Sequence, residues 1–291
     1  MAMKYQRQLQ LMIGPYVWGT VFLVVIPAVA TAVIAFTHYT TISPPTWVGL
    51  DNFRNLFTNR YALYSLFNSL FFVAFAVPLR LLSAFFFALL LQHKARFFGL
   101  YRTAVYVPTI IPEAAYALVW LWIFNPIYGP LNLLLETLGL PSPAWLTDPV
   151  LARFAIVILS VFQMGEGFIV LLVGLQSIPR ALYEAAGIDG ASRAQCFWRI
   201  TLPLITPWLL ILFFRDLLVS LQNTFTPSYI LTYGGPYYAT TFIPLVVYEL
   251  AFDFFEFGLA AALLLLTYVV TGILILAVLN LTGLHKGGHR V

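Results

Sequence analysis

The sequence predicts an all-α polytopic membrane protein, and three observations support that fold class. Of the 291 residues, 61% are hydrophobic and only 9% are charged, whereas a soluble domain carries about a quarter charged residues. Six apolar stretches have the length needed to cross a bilayer, which is roughly 20 helical residues. Uninterrupted apolar blocks such as 117–124 and 169–175 lack the polar–apolar alternation of a membrane β-strand. This composition excludes a soluble enzyme, a disordered chain and a nucleic-acid-binding protein.

Each of the six predicted spans is an apolar run of helical length. They are 14–36, 65–91, 103–124, 151–175, 204–224 and 258–281. The first run follows Lys4 and Arg7 in the manner of a secretory signal peptide, but it continues for about 23 residues, beyond the roughly 7–15 residues of a signal core. We therefore predict an uncleaved first span.

The distribution of Lys and Arg predicts the orientation, because these residues accumulate in cytoplasmic loops. The N-terminus, the 92–102 loop, the 176–203 loop and the C-terminus contain Lys4, Arg7, Lys94, Arg96, Arg102, Arg180, Arg193, Arg199, Lys286 and Arg290. The alternate segments contain only Arg54, Arg60 and Arg153. We therefore predict that both termini are cytoplasmic and that the number of spans is even.

The sequence contains no recognisable catalytic or metal-binding motif. A GxxxxGK[ST] phosphate loop is absent, so nucleotide hydrolysis by that route is excluded. The histidines His38, His93, His285 and His289 lie outside the predicted spans, and no HExxH motif occurs. We predict no catalytic residue, no metal and no cofactor in this chain. If the chain drives transport, the energy comes from elsewhere, and we predict a partner protein.

Five ionisable side chains fall near the middle of predicted spans. They are Arg80, Glu113, Glu166, Arg215 and Asp216. Each costs roughly 2.5–3.5 kcal/mol at the centre of a membrane helix, so we expect them to face the bundle interior and to pair or meet water. For Arg80 and Glu113 the favoured role is structural pairing.

Two spans also present polar residues at helical spacing. Ser160, Gln163 and Glu166 share a broad face of the fourth span, and Asp216, Ser220 and Asn223 share a face of the fifth. Carboxylates and amides beside aromatic rings suit a sugar, whose hydroxyl groups need acceptors and whose C–H faces stack. The predicted substrate-binding residues are Gln163, Glu166, Asp216, Ser220 and Asn223. The alternative is that these residues join helices to one another through interhelical hydrogen bonds.

The loop 176–203 is the longest predicted cytoplasmic loop, and its pattern is distinctive. We expect two short helices joined at Gly190, because a residue without a side chain permits a sharp bend. Glu184-Ala185-Ala186, three residues, Gly190, nine residues and then Ile200-x-Leu202-Pro203 resembles the EAA loop of permease subunits in binding-protein-dependent ABC importers.

A second stretch resembles the carbohydrate members of that family. Leu231-Thr232-x-Gly234-Gly235-Pro236, followed by Thr240-Thr241 and Phe257-Gly258, is similar to the region before the last span in the first permease of maltose-type and lactose-type importers. The second outside loop covers only 125–150, which resembles the compact lactose-type or glycerol-phosphate-type permeases more than the maltose type with its long insertion.

The resemblance implies a type I importer fold in a prokaryotic inner membrane. It also implies a second homologous permease as heterodimer partner, two cytoplasmic ATPase subunits, an extracytoplasmic solute-binding protein and a sugar as substrate. The residues that it assigns to ATPase coupling are Glu184, Ala185, Ala186, Asp189, Gly190, Ile200, Leu202 and Pro203. The chain itself is then not an enzyme.

The predicted organisation has three parts. Residues 1–64 form an N-terminal tail, the first span and a periplasmic loop, and residues 65–282 form a five-helix permease core that contains the EAA loop at 176–203. Residues 283–291 form a cytoplasmic tail.

Three alternatives remain at this point. The same machinery could carry glycerol phosphate or another polyol derivative, with Arg80 or Arg215 as partners of the anion. A proton-coupled secondary transporter would use Glu113, Glu166 or Asp216 as a proton relay. An intramembrane enzyme would need a nucleophile–base pair, which the sequence does not provide.

Overall fold

The computed structural model describes residues 12–92 and 97–282, and these are largely helical. The helices are α1 (Met12–Ile34), α2 (Asp51–Thr58), α3 (Arg60–Leu90), α4 (Phe98–Ile110), α5 (Glu113–Ile123), α6 (Pro130–Thr137), α7 (Pro149–Val161), α8 (Gly165–Gln176), α9 (Arg180–Ile188), α10 (Arg193–Ser220), α11 (Phe225–Leu231), α12 (Ile243–Tyr248) and α13 (Phe257–Thr282). One short antiparallel pair accompanies them, β1 (Thr37–His38) with β2 (Thr46–Trp47). The predicted loop and tail cations Lys4, Arg7, Lys94, Arg96, Lys286 and Arg290, and the predicted tail 283–291, lie outside the described residues.

The prediction of an all-α membrane protein is confirmed. Helices α1, α3, α10 and α13 each have the length and hydropathy of a membrane span. Two bent pairs meet the same criterion, α4 with α5 at 104° and α7 with α8 at 45°. Counting each bent pair as one span gives the six spans that the apolar runs predict.

The third and fourth spans differ from simple continuous helices because each is broken near its middle. The third breaks between Ile110 and Glu113, where Ile111 has an extended backbone with ψ of 131°. Proline disfavours helical backbone in the residue before it, so Pro112 accounts for this break. The fourth breaks between Val161 and Gly165. At both breaks, the helix ends and their backbone polar groups lie within apolar stretches of the sequence.

The chain divides into two compact units. The first contains residues 1–63 and 246–291, and in it α13 packs on α1, α2 and β1. The buried Asn52 side chain donates to the carbonyls of Ala35 at 2.9 Å and Thr37 at 2.8 Å. Gly258 lies against the Thr37 carbonyl, so a Cβ atom there would collide with backbone. These contacts fix the turn after α1 against the start of α13.

The second unit contains residues 64–245, and its helices approach one another closely at glycines. The Gly165 amide donates to the Thr109 hydroxyl at 3.1 Å, which joins α8 to α4. A Cβ atom at Gly174 would lie 2.8 Å from Cδ1 of Ile205, so α8 and α10 are in contact there. Small residues at such crossings let membrane helices pack tightly. These contacts join α8, the second half of the fourth span, to α4 and α10.

The 176–203 segment forms the hairpin that the sequence predicts, with one difference. Helix α9 ends before Gly190, whose φ is +74°, and Ser192 caps the next helix in a capping box with Gln195. The sequence led us to expect that this second helix is separate from the fifth span, but the two are continuous. It continues as α10 through a π-helical turn at Phe197–Thr201. The wider turn lies just before Pro203, which cannot donate the usual helical hydrogen bond.

Candidate functional site

A polar pocket of about 230 Å³ lies where the two broken spans meet α3 and α10. Its polar lining consists of Arg80, Thr109, Glu113, Tyr116, Ser160, Gln163, Glu166, Arg215, Ser220 and Asn223. Phe72, Ile111, Ala117, Ile156, Leu159, Val219 and Pro227 supply the apolar part of the wall. Carboxylate, amide, hydroxyl and guanidinium groups therefore converge between apolar spans.

Four of the five ionisable side chains form one connected chain of charges. Asp216, with a side chain 5% exposed, lies 3.7 Å from the Arg80 guanidinium and 3.1 Å from that of Arg215. Arg215 also forms an ion pair with Glu166. The chain therefore links α3, α10 and α8. The fifth group, Glu113, accepts a hydrogen bond from the Thr226 hydroxyl at 3.1 Å.

Side chains also satisfy the carbonyls exposed where α7 ends. The Ser160 carbonyl accepts from Nε of Arg80 at 3.1 Å, and the Leu159 carbonyl accepts from the Tyr116 hydroxyl at 2.9 Å. Within the apolar part of a membrane, such carbonyls need a partner inside the protein. Arg80 and Tyr116 therefore stabilise the break in the fourth span, and through it the shape of the pocket.

The structure brings together most of the predicted substrate-binding residues. Gln163, Glu166, Ser220 and Asn223 line the pocket, whereas Asp216 does not. The Asp216 carboxylate is buried and engaged by the two arginines. Oγ of the buried Ser220 has no hydrogen-bond partner among the described residues. An unpartnered buried hydroxyl is unusual, and here it belongs to a residue of the pocket wall.

The sequence interpretation missed Thr109 and Tyr116 as pocket residues. Both lie beside the break at Ile111 and Pro112, so Pro112 inside an apolar run was the available signal. Arg80 and Glu113, for which structural pairing was favoured, also line the pocket. Each also has a partner within the protein, because Arg80 pairs with Asp216 and Glu113 accepts a hydrogen bond from Thr226.

The hairpin divides the eight predicted coupling residues into two groups. Glu184, Ala185, Asp189 and Gly190 are exposed and Ala186 is half-buried, and the nearby Ile188 side chain is 88% exposed. Ile200 and Leu202 instead pack against the buried cluster that joins α8 to α10, while Pro203 is exposed at the start of the span. The first group presents a surface, and the second anchors the hairpin to the bundle.

One hydrogen bond connects the two helices of the hairpin. The Tyr183 hydroxyl on α9 lies 2.8 Å from the hydroxyl of Thr201, which is buried in the π-helical turn of α10. Further along the same helix are Arg215, Asp216 and Ser220. This contact therefore joins α9 to the helix that carries one wall of the pocket.

Comparison with known proteins agrees with this arrangement of broken spans and hairpin. The family of the binding-protein-dependent transport system inner membrane component matches residues 61–283. The chain belongs to this family and is a transport permease subunit in a membrane, as the resemblance of its hairpin predicts.

Individual relatives cover most of the chain. The "Probable ABC transporter permease protein YesP" of Bacillus subtilis (strain 168) is 37% identical, over 91% of this chain and 86% of its own length. The trehalose/maltose transport system permease protein MalF of Thermococcus litoralis is 36% identical, over 89% of this chain and 88% of its own length. A chain of a bacterial alginate ABC transporter, solved with an alginate pentasaccharide-bound periplasmic protein, has a TM-score of 0.82 at 24% identity, over 94% of this chain and 93% of that chain.

Proposed function

We propose that the chain is the transmembrane permease subunit of an ATP-driven importer that moves a carbohydrate delivered by an extracytoplasmic binding protein. Family membership and the relative that serves trehalose/maltose transport support this function. The observation that carries the substrate class is the polar pocket, where hydroxyl, amide and carboxylate groups converge between apolar spans.

The charges of the pocket favour a neutral, hydroxyl-rich substrate over an anion. Its two arginines are already matched by carboxylates, because Arg80 faces Asp216 and Arg215 faces both Asp216 and Glu166. Glu113 adds a further negative charge. A phosphate would have to displace these carboxylates, whereas sugar hydroxyl groups bind acceptors and donors without doing so. Glycerol phosphate is therefore the weaker alternative.

The volume of the pocket supports a site shared between two permeases. At about 230 Å³ it is smaller than the roughly 300–1,000 Å³ of typical ligand sites. We propose that a second homologous permease completes the site, with Gln163, Glu166, Ser220 and Asn223 contacting the sugar. Asp216 acts as a positioning residue that holds Arg80 and Arg215.

A panel of uptake measurements tests the substrate class. Cells that carry the complete transporter are given labelled trehalose, maltose, a neutral monosaccharide and glycerol 3-phosphate. We expect uptake of at least one neutral saccharide, and a higher half-saturating concentration after Asn223→Ala. Uptake of glycerol 3-phosphate alone would contradict the neutral-sugar proposal.

Energy comes from two separate cytoplasmic ATPase subunits, which we propose bind the exposed face of α9. Glu184 and Asp189 give this face negative charge, and Ile188 gives it an apolar contact. Binding and hydrolysis of ATP displace α9, and the Tyr183–Thr201 contact passes the displacement to α10. The pocket then opens to alternate sides of the membrane.

Charge inversion at Glu184 tests this coupling. Glu184→Lys should reduce the amount of ATPase subunit that copurifies, because repulsion replaces attraction, and it should abolish sugar-stimulated hydrolysis. Glu136→Lys is the matched control, since Glu136 is an exposed carboxylate on α6, between the third and fourth spans. Wild-type retention and stimulation in Glu184→Lys would contradict the proposal.

The coupling face requires a defined orientation, with both termini in the cytoplasm. The described cations Arg180, Arg193 and Arg199 lie on the hairpin, which agrees with the positive-inside rule. Reporter fusions after residues 199 and 291 should report cytoplasm, and a fusion within 141–148 should report the outside. A cytoplasmic signal from the 141–148 fusion would contradict this topology.

A further inference from the structure

A second pocket, the basic pocket, lies beside the hairpin and has no part in the proposed transport site. Its volume is about 980 Å³. It is lined by Leu89, Gln92, Phe98, Arg102, Leu175, Gln176, Ile178, Arg180, Tyr183, Gly187, Ala191, Arg193, Cys196, Phe197 and Thr201. The lining includes the end of α3, the start of α4, the end of α8 and both helices of the hairpin. Three of these side chains are arginines, and no described lining residue is Asp or Glu.

The three arginines carry positive charge that the described residues do not neutralise. No described carboxylate lies within ion-pair distance of Arg102, Arg180 or Arg193. This contrasts with Arg80 and Arg215 in the polar pocket, which are both paired. Three like charges around one cavity repel one another, so the arrangement favours a bound anion.

Arg102 is held in place while part of its hydrogen-bonding capacity remains unused. One terminal nitrogen donates to the Leu91 carbonyl at 3.2 Å, and the guanidinium lies 3.8 Å from the centre of the Phe98 ring. Its Nε is buried and has no acceptor among the described residues. A guanidinium held in this way is suited to a phosphate group, whose oxygens match its planar set of donors.

The other residues that line the basic pocket indicate which kind of molecule carries the anionic group. Leu89, Leu175 and Phe197 are apolar and lie at the ends of spans, whereas Gln92 and Gln176 are polar. An apolar wall next to cationic groups, at the level where spans end, fits an amphiphile with an anionic head. Basic pockets between membrane helices on the cytoplasmic side bind such lipid head groups.

We propose that the basic pocket binds a phosphate-bearing anion, and that its apolar walls select an anionic phospholipid of the leaflet next to the hairpin. The lipid head group would then lie under α9, which carries the proposed ATPase-binding face, and would stiffen the hairpin. This site is separate from the sugar pocket, although Tyr183 and Thr201 in its lining also form the proposed coupling contact. Because lipid retention is measured without transport, its outcome is distinguishable from failure of the proposed function.

Retention of lipid by the assembled transporter tests the proposal. The complex is exchanged into detergent with phosphatidylglycerol, phosphatidylcholine or inorganic phosphate, and native mass spectrometry and thermal unfolding are measured. We expect retained phosphatidylglycerol and a raised unfolding temperature with that lipid alone. In Arg180→Gln/Arg193→Gln, retention should fall by about fivefold per arginine, the factor that corresponds to roughly 1 kcal/mol for each cation near an anionic surface. Both side chains are exposed, so this variant should fold even if Arg102→Gln does not.

Arg199→Gln is the matched control, since Arg199 lies on the same hairpin but outside the pocket. It should retain lipid like the wild type. Equal stabilisation by inorganic phosphate and by phosphatidylglycerol, lost in the double variant, would support the anion site and overturn the lipid as its occupant. Equal retention of phosphatidylglycerol by the wild type and the double variant would overturn the proposal entirely.

Discussion

Replacement of Asp216 by asparagine removes the buried charge that pairs with Arg80 and Arg215 of the polar pocket and keeps the shape of the side chain. The Asp216 side chain is 5% exposed and lies between two arginines. After the change, the Arg80 side chain, which is 11% exposed, keeps its hydrogen bond to the Ser160 carbonyl and loses its carboxylate. Arg80 is then a buried cation with no ion-pair partner among the described residues.

The magnitude follows from the burial of the two partners. Removing one member of a buried ion pair costs about 3–5 kcal/mol. Loss of the Arg215 contact adds little, because that side chain is 42% exposed and keeps Glu166 as a partner. We expect Asp216→Asn to lower the free energy of unfolding by about 3 kcal/mol, since the amide oxygen still accepts a hydrogen bond. Removing both charges in Arg80→Met/Asp216→Asn should cost less than Asp216→Asn alone.

The assay is denaturant-induced unfolding of the purified full-length chain in mixed micelles, followed by circular dichroism. Asn223→Ala is the control in the same pocket, because Asn223 is uncharged and exposed, and its unfolding free energy should stay within about 0.5 kcal/mol of the wild type. A change of less than about 0.5 kcal/mol in Asp216→Asn would refute a stabilising role of the ion pairs. So would a double variant that is less stable than Asp216→Asn by more than about 0.5–1.5 kcal/mol, the contribution of the lost Arg80–Ser160 hydrogen bond.

Three further predictions concern the pocket and the hairpin. Glu166→Gln should weaken the apparent affinity for the sugar by about 0.5–3 kcal/mol, since a charged acceptor becomes neutral. An unchanged half-saturating concentration in uptake assays would show that Glu166 pairs with Arg215 and does not contact the sugar. Gly190→Val should lower the free energy of unfolding by about 1–2 kcal/mol, because Gly190 has a left-handed backbone with φ of +74°, and Gly190→Asn should lower it less. No atom crowds a side chain at this position, so equal unfolding curves for the two variants would contradict a conformational cause. Tyr183→Phe removes the hydrogen bond to Thr201, which is worth about 0.5–1.5 kcal/mol. It should reduce sugar-stimulated ATP hydrolysis while the ATPase subunits remain bound, and full stimulation would show that this contact has no role in coupling.

Much of the fold could be predicted because membrane insertion imposes simple rules on sequence. The apolar runs give the spans, and Gly190 gives the bend of the hairpin because few residues other than glycine adopt its backbone conformation. Hydropathy could not locate the breaks at Pro112 and at Val161–Gly165, since a break of a few residues hardly changes the average over a span. The continuity of α10 through Phe197–Thr201 was missed for a related reason. Proline is enriched at the first position of a helix, so Pro203 indicated a helix start there, whereas the helix continues across this position after a π-helical turn.

The pocket could be predicted in part. Helical spacing grouped Gln163 with Glu166 and Ser220 with Asn223, and all four line the pocket. The predicted helical faces were wrong, however, because Gln163 lies in the break of the fourth span and Asn223 lies beyond the end of α10. The same spacing grouped Asp216 with them, because it cannot show which arginine lies opposite. That pairing depends on how α3 crosses α10, which is a property of the tertiary packing.

Uptake into proteoliposomes that contain the complete transporter tests the central claim most directly. The substrate is the neutral saccharide that the purified binding protein retains from a panel, and it is labelled and supplied outside together with that protein. We predict that uptake requires ATP on the side of the ATPase subunits and continues at the same rate when a protonophore collapses the proton gradient. Uptake that proceeds without ATP and stops when the protonophore is added would contradict the assignment as an ATP-driven importer subunit.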